Sequence, residues 1–197
     1  MGRPREFEED EALAQIMDVF WAKGFEGTAM SDLMSATGLQ KGSLYAAFGD
    51  KRAVYLRALA HYDQTVIEGA VDLLSGADAP ERRIGDFLQS AIDPVATRND
   101  RRGCFLCNAS ADQAIVDGET EQSVKMSLGR LSRALKQALS EIPLGDGLCD
   151  PEAQHLLSVY VGLRVLAKAG YAVHALRDAR SRALLGLSSR ERSATIS

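Results

Sequence analysis

Apolar residues recur every three to four positions along almost the whole chain, and no two-residue alternation is sustained. Leu13, Ile16, Met17, Phe20 and Trp21 make a first stripe, and Met30, Leu33, Met34 and Ala36 a second. Leu39, Leu44 and Phe48 continue the pattern through a third short segment. Such spacing marks amphipathic helices that bury one side. Gly24 closes the first helix, and Gly38 stands where the chain reverses between the second and third. A reversal of that kind often needs positive φ and so favours glycine. Asp50 suits the N-cap of a fourth helix, predicted over residues 51–74 with Val54, Leu56, Leu59, Tyr62, Val66 and Ile67 apolar along it. A helix that long can touch both the first fifty residues and those that follow.

Beyond it, Pro80 suits the first turn of a helix carrying Ile84, Phe87, Leu88, Ala91 and Ile92, expected to stop near Asp93-Pro94. Residues 97–103 are polar and basic and read as a loop. A further helix is expected over residues 119–141, with Val124, Met126, Leu128, Leu131, Leu135 and Leu139 inside. Asp150, Pro151 and Glu152 form a helix start: a capping Asp, a Pro in the first turn and an acidic residue near the N-terminal dipole. The helix that follows is apolar on more than one face, and a second stripe, Val173, Leu176, Ala179, Ala183 and Leu184, comes after Gly170. Two such helices carry more apolar surface than a small body covers alone, so pairing with a second copy is expected, with Leu156, Tyr160, Leu163, Leu176 and Leu184 in the interface. A purely intramolecular core is the alternative. Residues 188–197 are polar and expected to form a disordered tail. The fold class is therefore all-α: a three-helix domain over residues 1–50, a larger helical domain over 51–187, and the tail.

Composition adds little until charge is mapped. At 197 residues, 46% hydrophobic and 25% charged, the chain is ordinary for a protein with a packed core. No run approaches the roughly 18 apolar residues of a membrane span, no charged-then-apolar leader opens the chain, and a cytoplasmic location is expected. The net charge of −4 counts against a general nucleic-acid coating protein. It does not count against a site-specific one, because residues 28–57 hold Lys41, Lys51, Arg52 and Arg57 against Asp32 and Asp50, a local balance of +2. A dimer would double that patch.

The second and third helices have the plan of a helix-turn-helix, whose second helix enters the DNA major groove. The third presents Gln40, Lys41, Gly42, Ser43 and Tyr45 outward, with Gln40, Lys41 and Ser43 the expected readers of base edges. Thr28 can cap the second helix and bring its hydroxyl to a phosphate. Lys51 in a first turn is unfavourable for the helix dipole, so an anion such as a DNA phosphate is expected beside it. Arg3 and Arg5 form a basic arm able to enter a minor groove, or merely a charged terminus. An ordinary helical hairpin with a polar outer face is the alternative to the whole reading.

Gly38-Leu39, Leu44-Tyr45, Phe48 and Lys51, with Phe20, Gly24-Phe25 and Thr28 upstream, resemble the signature of TetR/AcrR-type transcriptional regulators. The resemblance covers roughly the first 60 residues and is weak beyond them. It implies a helix-turn-helix domain followed by a helical ligand-binding and dimerisation domain, and a backbone phosphate contact from Tyr45. Two positions depart from the pattern. Ala47 stands where a histidine is frequent and removes one phosphate contact, and Arg52 stands where an acidic residue is frequent and is expected to replace part of it.

Cys104 and Cys107 have CxxC spacing, and Cys149 is the third cysteine. Three cysteines do not make a disulfide framework, and His61, His155 and His174 are too scattered to complete a zinc site, so no metal is expected. A thiol-based redox protein using Cys104 and Cys107 is the competing function. No nucleophile, base and orienting acid assemble around them, and no phosphate-binding glycine loop exists, so neither an enzyme nor a cofactor is expected. As sensors, both thiols would lie at a helix start after Arg101 and Arg102, which would lower their pKa; two small buried residues are the plainer reading. Phe87, Phe105, Leu106, Leu128 and Leu131, with Cys104 and Cys107, are the expected effector-binding or sensing residues. The expected function is thus a homodimeric repressor released from double-stranded operator DNA by a small apolar or electrophilic effector, with no membrane partner.

Overall fold

The computed structural model describes residues 5–145 and 147–195, with side-chain surroundings given for residues 9–145 and 147–187. Among them the chain is entirely helical: α1 (Arg5–Lys23), α2 (Met30–Thr37), α3 (Lys41–Phe48), α4 (Lys51–Tyr62), a π-helical turn (Asp63–Ile67), α5 (Glu68–Leu74), α6 (Pro80–Ser90), α7 (Asp93–Arg98), α8 (Phe105–Ala111), α9 (Gly118–Leu139), α10 (Cys149–Lys168) and α11 (Val173–Thr195). The helix expected over residues 51–74 is present, but the π turn divides it into α4 and α5.

Two compact units emerge. The first joins residues up to Val66 with Asn108–Lys125, and the second joins Ile67–Cys107 with the chain from Met126 onward. They are not coextensive with the domains 1–50 and 51–187 expected from sequence. In the first unit α1 packs against α2 and α4, and α3 against α4, so α4 belongs to the same core as the helix-turn-helix. Ile16, Phe20, Leu33, Leu44, Val54, Ala58 and Tyr62 are fully buried there, at roughly 1.5–3 kcal/mol for each large side chain. Gly24, at φ 75°, donates its amide to the Phe20 carbonyl and ends α1. Gly38, at φ 68°, donates to the Met34 carbonyl at 2.9 Å and turns the chain from α2 toward α3. The Asp50 carboxylate accepts from the Ala53 amide at 2.9 Å and caps α4 as the sequence indicates.

In the second unit α6 packs against α5, α7, α10 and α11, and α10 against α11. Ile84, Phe87, Leu88, Leu135, Leu139, Leu156, Tyr160, Leu163 and Leu176 form its core. The Phe87 ring stacks on Tyr160 with centroids 4.3 Å apart. Arg83 is buried in the same core, donating to the Leu74 carbonyl at 2.7 Å and pairing with Glu141.

Several expectations are corrected here. Leu156, Tyr160, Leu163 and Leu176 are buried inside their own unit, so these four are core positions and not a free dimerisation face, while Leu184 is half-buried. A helix apolar on more than one face does not disclose which face its own chain covers. Large apolar side chains left exposed on α10 and α11 are Val165 (52%) and Leu185 (58%). Asp150 lies inside α10, whose N-cap position is Leu148, and its carboxylate takes the Lys136 ammonium at 2.7 Å instead. Pro94 opens α7 and does not end the preceding helix, which stops at Ser90. Residues 188–195, expected as a disordered tail, continue α11. Beyond Gly186 the chain has neither Gly nor Pro to stop a helix and includes good helix formers, Arg, Glu and Ala; residues 196–197 lie outside the described set.

The turn at Gly38 yields a direct test. A Cβ there meets nothing within 4 Å, so Gly38→Ala carries only the left-handed backbone penalty. Urea unfolding is expected to show a loss of about 1–2 kcal/mol, and a smaller loss for Gly38→Asn.

Candidate nucleic-acid interface

α3 is short, and its two large apolar side chains, Leu44 and Phe48, both point into the core. Everything else on it is therefore turned outward. Gln40 in the N-cap position, then Lys41, Gly42 and Ser43, and Tyr45 a turn later, are all exposed. Lys41 and Tyr45 lie four residues apart on one face, with the ammonium 6.0 Å from the ring centroid. The first turn of α3 has no acidic residue, so its unpaired amides and Lys41 present positive charge together.

The cations around α3 fall into two kinds. Arg57 is latched into the fold: it donates to the Ala47 carbonyl at 2.7 Å, pairs with Glu9, and lies 4.7 Å from the Phe48 ring centroid. Arg52 is clamped by Asp117 through Nε at 2.9 Å and a terminal nitrogen at 2.7 Å, with Glu119 at 3.2 Å. Asp117 is itself fixed by the Thr120 hydroxyl at 2.6 Å and the Thr120 amide at 3.0 Å, capping the start of α9. The Thr120 hydroxyl first, and Arg52 next, hold the Asp117 carboxyl below its usual pKa. Arg52 thus has its charge matched by two carboxylates and is not an uncommitted cation of this surface. Lys41 and Lys51 rest on aromatic rings instead, Lys51 with its ammonium 4.4 Å from the Phe25 centroid. The balance of +2 read from residues 28–57 omitted Glu9, Asp117 and Glu119, which the fold brings in from outside that window.

Thr28 departs from expectation. It is buried, its hydroxyl donates to the Gly24 carbonyl at 2.7 Å, and Ala29 takes the N-cap position of α2. The N-terminus of α2 is served by Asp32, which accepts from the Ala29 amide at 2.9 Å and pairs with Lys23 at 2.8 Å. Lys23 is the main reason that the Asp32 carboxyl titrates below its usual range, with the Ala29 amide second. Arg3 lies outside the described residues, and Arg5 opens α1 with its side chain outside them.

The residues expected to sense an effector all belong to the second unit. Phe87, Cys104, Phe105, Leu106 and Leu131 are buried, and Leu128 and Cys107 half-buried. The hydrogen bond between the two thiols, reinforced by burial, raises the Cys107 pKa far above the ordinary thiol value, although Arg164 acts the other way. This overturns the expectation that Arg101 and Arg102 would lower it. Arg102 is committed to Asp100 at 2.9 Å, and Arg101 is exposed. The missed residue is Arg164, which is buried and donates to the Tyr160 hydroxyl from two nitrogens at 2.9 and 3.2 Å. Its signal in the sequence is an arginine set between Leu163 and Val165, four residues after a tyrosine. Among the described residues no group of three or more His, Cys, Asp or Glu side chains is placed to hold a metal, and no helix is long and apolar enough to cross a membrane.

Comparison with known proteins meets this geometry at the same place. The profile of bacterial regulatory proteins of the tetR family matches residues 12–58, from α1 into α4. The transcriptional repressor ComR of Escherichia coli K12 is 27% identical over 184 residues, which span 89% of this chain and 86% of that protein. A cysteine-substituted form of CifR, a TetR-family regulator solved with 26-bp operator DNA, is 28% identical, with a TM-score of 0.77 over 92% of this chain and 98% of its own. A TetR regulator from Chloroflexus aurantiacus shares the fold at 21% identity, with a TM-score of 0.83 over 94% of this chain and 96% of its own. The all-helical architecture, the helix-turn-helix of α2 and α3 and these likenesses agree, and the chain belongs to the TetR family of bacterial transcriptional regulators.

Proposed function

We propose that this chain is a homodimeric, cytoplasmic repressor that reads a two-part DNA operator with α3 and leaves it when a small apolar effector binds the second unit. The observation that carries the reading is the outer face of α3, where Gln40, Lys41, Gly42, Ser43 and Tyr45 are all exposed around a buried Leu44. Gln40, Lys41 and Ser43 supply the hydrogen-bonding groups that distinguish base edges, and Gly42 lets the backbone approach. Tyr45 and Lys51 bind phosphates, which set register without reading sequence. The operator complex of CifR and the repressor designation of ComR support this role.

Two copies are needed because, among the described residues, one headpiece carries few uncommitted cations. Their pairing is assigned to the exposed faces of α10 and α11, marked by Val165 and Leu185, in place of the buried leucines. An effector changes DNA occupancy only through its different affinity for the bound and released conformations. Phe87, Phe105, Leu106, Leu128 and Leu131 supply an apolar lining for it. Covalent capture by thiolate is not favoured, because the Cys107 thiol holds its proton more tightly than a free cysteine does. The same property argues against the thiol-redox alternative.

Selection from a random duplex library by the intact chain is expected to enrich one two-part sequence. Lys41→Ala should then cost about 1–3 kcal/mol per half-site and relax preference at one position; enrichment of no sequence would overturn the reading. Light scattering is expected to give twice the chain mass, and the double substitution Val165→Glu with Leu185→Glu to give a folded monomer without operator affinity. A variant that stays dimeric would move the interface elsewhere. Because a raised thiol pKa keeps the thiolate scarce below it, alkylation of Cys107 by iodoacetamide should be slow at neutral pH. It should accelerate only above the ordinary thiol range of about 8.5, and Cys107→Ser should bind the selected duplex like the parent chain.

A further inference from the structure

Phe25 is the residue in the headpiece whose placement no expectation explains. It follows Gly24 in the turn after α1, is half-buried, and is held from below by two core rings. Phe25 packs edge-to-face on Tyr55 at 5.0 Å and lies parallel to Phe20 at 6.3 Å, while Phe20 and Tyr55 meet edge-to-face at 5.1 Å. Phe20 is fully buried and Tyr55 nearly so, so the orientation of the Phe25 ring is set by the core. Against that ring lies the Lys51 ammonium, 4.4 Å from the centroid.

A lysine in the first turn of a helix faces the positive end of the dipole and has a long, freely rotating stem. Left alone it would sample many positions. The face of an aromatic ring is electronegative and attracts an ammonium without neutralising its charge or demanding a particular N–H direction. A carboxylate would localise the same lysine more strongly but would consume the charge, which is what Asp117 and Glu119 do to Arg52 one residue later. The two neighbouring cations are therefore held by opposite means, one spent and one kept.

We propose that Phe25 is a positioning residue for DNA binding: its ring pre-places the Lys51 ammonium beside α3 while leaving its charge available to a backbone phosphate. The inference rests on the reading of this chain as an operator-binding dimer. Phe25 itself touches no DNA; it acts through Lys51, and the chain Phe20–Tyr55–Phe25–Lys51 carries the rigidity of the core out to the phosphate.

The test uses the full chain and the duplex that the parent protein selects from the random library. Phe25 is replaced by phenylalanines bearing one, three and five ring fluorines, which keep the ring's outline while draining its electronegative face. Affinity is expected to fall stepwise, by roughly two- to fivefold per protomer at full fluorination, with the thermal midpoint of unfolding little changed. In a Lys51→Gln background the same series should leave affinity flat. Phe25→Tyr, which retains the ring face, should bind as the parent does. Lys51→Gln itself should lower the slope of log affinity against log salt by about 0.9 for each phosphate no longer neutralised. Unchanged affinity across the fluorinated series, or a decline that persists without Lys51, would overturn the assignment. If the parent chain selects no duplex at all, the operator-binding reading fails first and Phe25 loses its role with it.

Discussion

The packing of α1 against α4 is the contact on which the headpiece depends. It is made largely of rings and branched chains, with Phe20 and Tyr55 crossing edge-to-face at 5.1 Å beside buried Ile16, Val54 and Leu59. Trp21 meets Tyr62 in the same manner at 5.1 Å farther along the helix pair. Neither α2 nor α3 is long enough to be stable alone, since eight residues fall well short of the dozen or so that an isolated helix needs. Each is held by apolar anchors, Leu33 for α2 and Leu44 with Phe48 for α3. Because those anchors are few, the remainder of α3 stays exposed, and its orientation is inherited from the α1–α4 pair.

Charge is organised in the same economical way. The protein is acidic overall, yet the cations near α3 are sorted by partner. Arg57 and Arg52 are tied to carboxylates and serve the fold, the latter joining the start of α4 to the start of α9 through Asp117. Those pairs are partly exposed, and such pairs contribute little to stability individually. Their effect is geometric: each restricts a side chain that would otherwise compete for the same surface. Lys41 and Lys51 contact rings, and a ring fixes a cation while leaving its charge unspent.

In the second unit the polar groups are held inside. Arg164 reaches the Tyr160 hydroxyl, Tyr160 stacks on Phe87, and both thiols of the CxxC segment lie near enough to influence that phenol. Burial raises the Tyr160 pKa, as a phenolate would be costly there, and the Cys107 proton is held first by the hydrogen bond with Cys104 and then by burial. Both the Tyr160 phenol and the Cys107 thiol therefore hold their protons more tightly than free groups do. The CxxC spacing alone could not reveal this, because the hydrogen bond between the two thiols and the burial that reinforces it depend on how the folded chain orients and covers them.

Read along the chain, the residues alone indicate the helical class, most helix boundaries, the capping of α4 by Asp50, the left-handed turn at Gly38 and the exposed row of α3. All of these follow from local rules: apolar periodicity, capping chemistry and backbone sterics act over a few residues. Tertiary structure decided what local rules cannot reach. It buried Thr28 against Gly24, spent Arg52 on Asp117, and placed Leu156, Tyr160 and Leu163 in the core while leaving Val165 and Leu185 exposed. It also set the Phe25 ring under Lys51, an encounter between residues on different elements. Which charge meets which partner, and which of two apolar faces its own chain covers, depends on long-range packing. Periodicity predicts that a face will be buried; only the folded chain specifies against what.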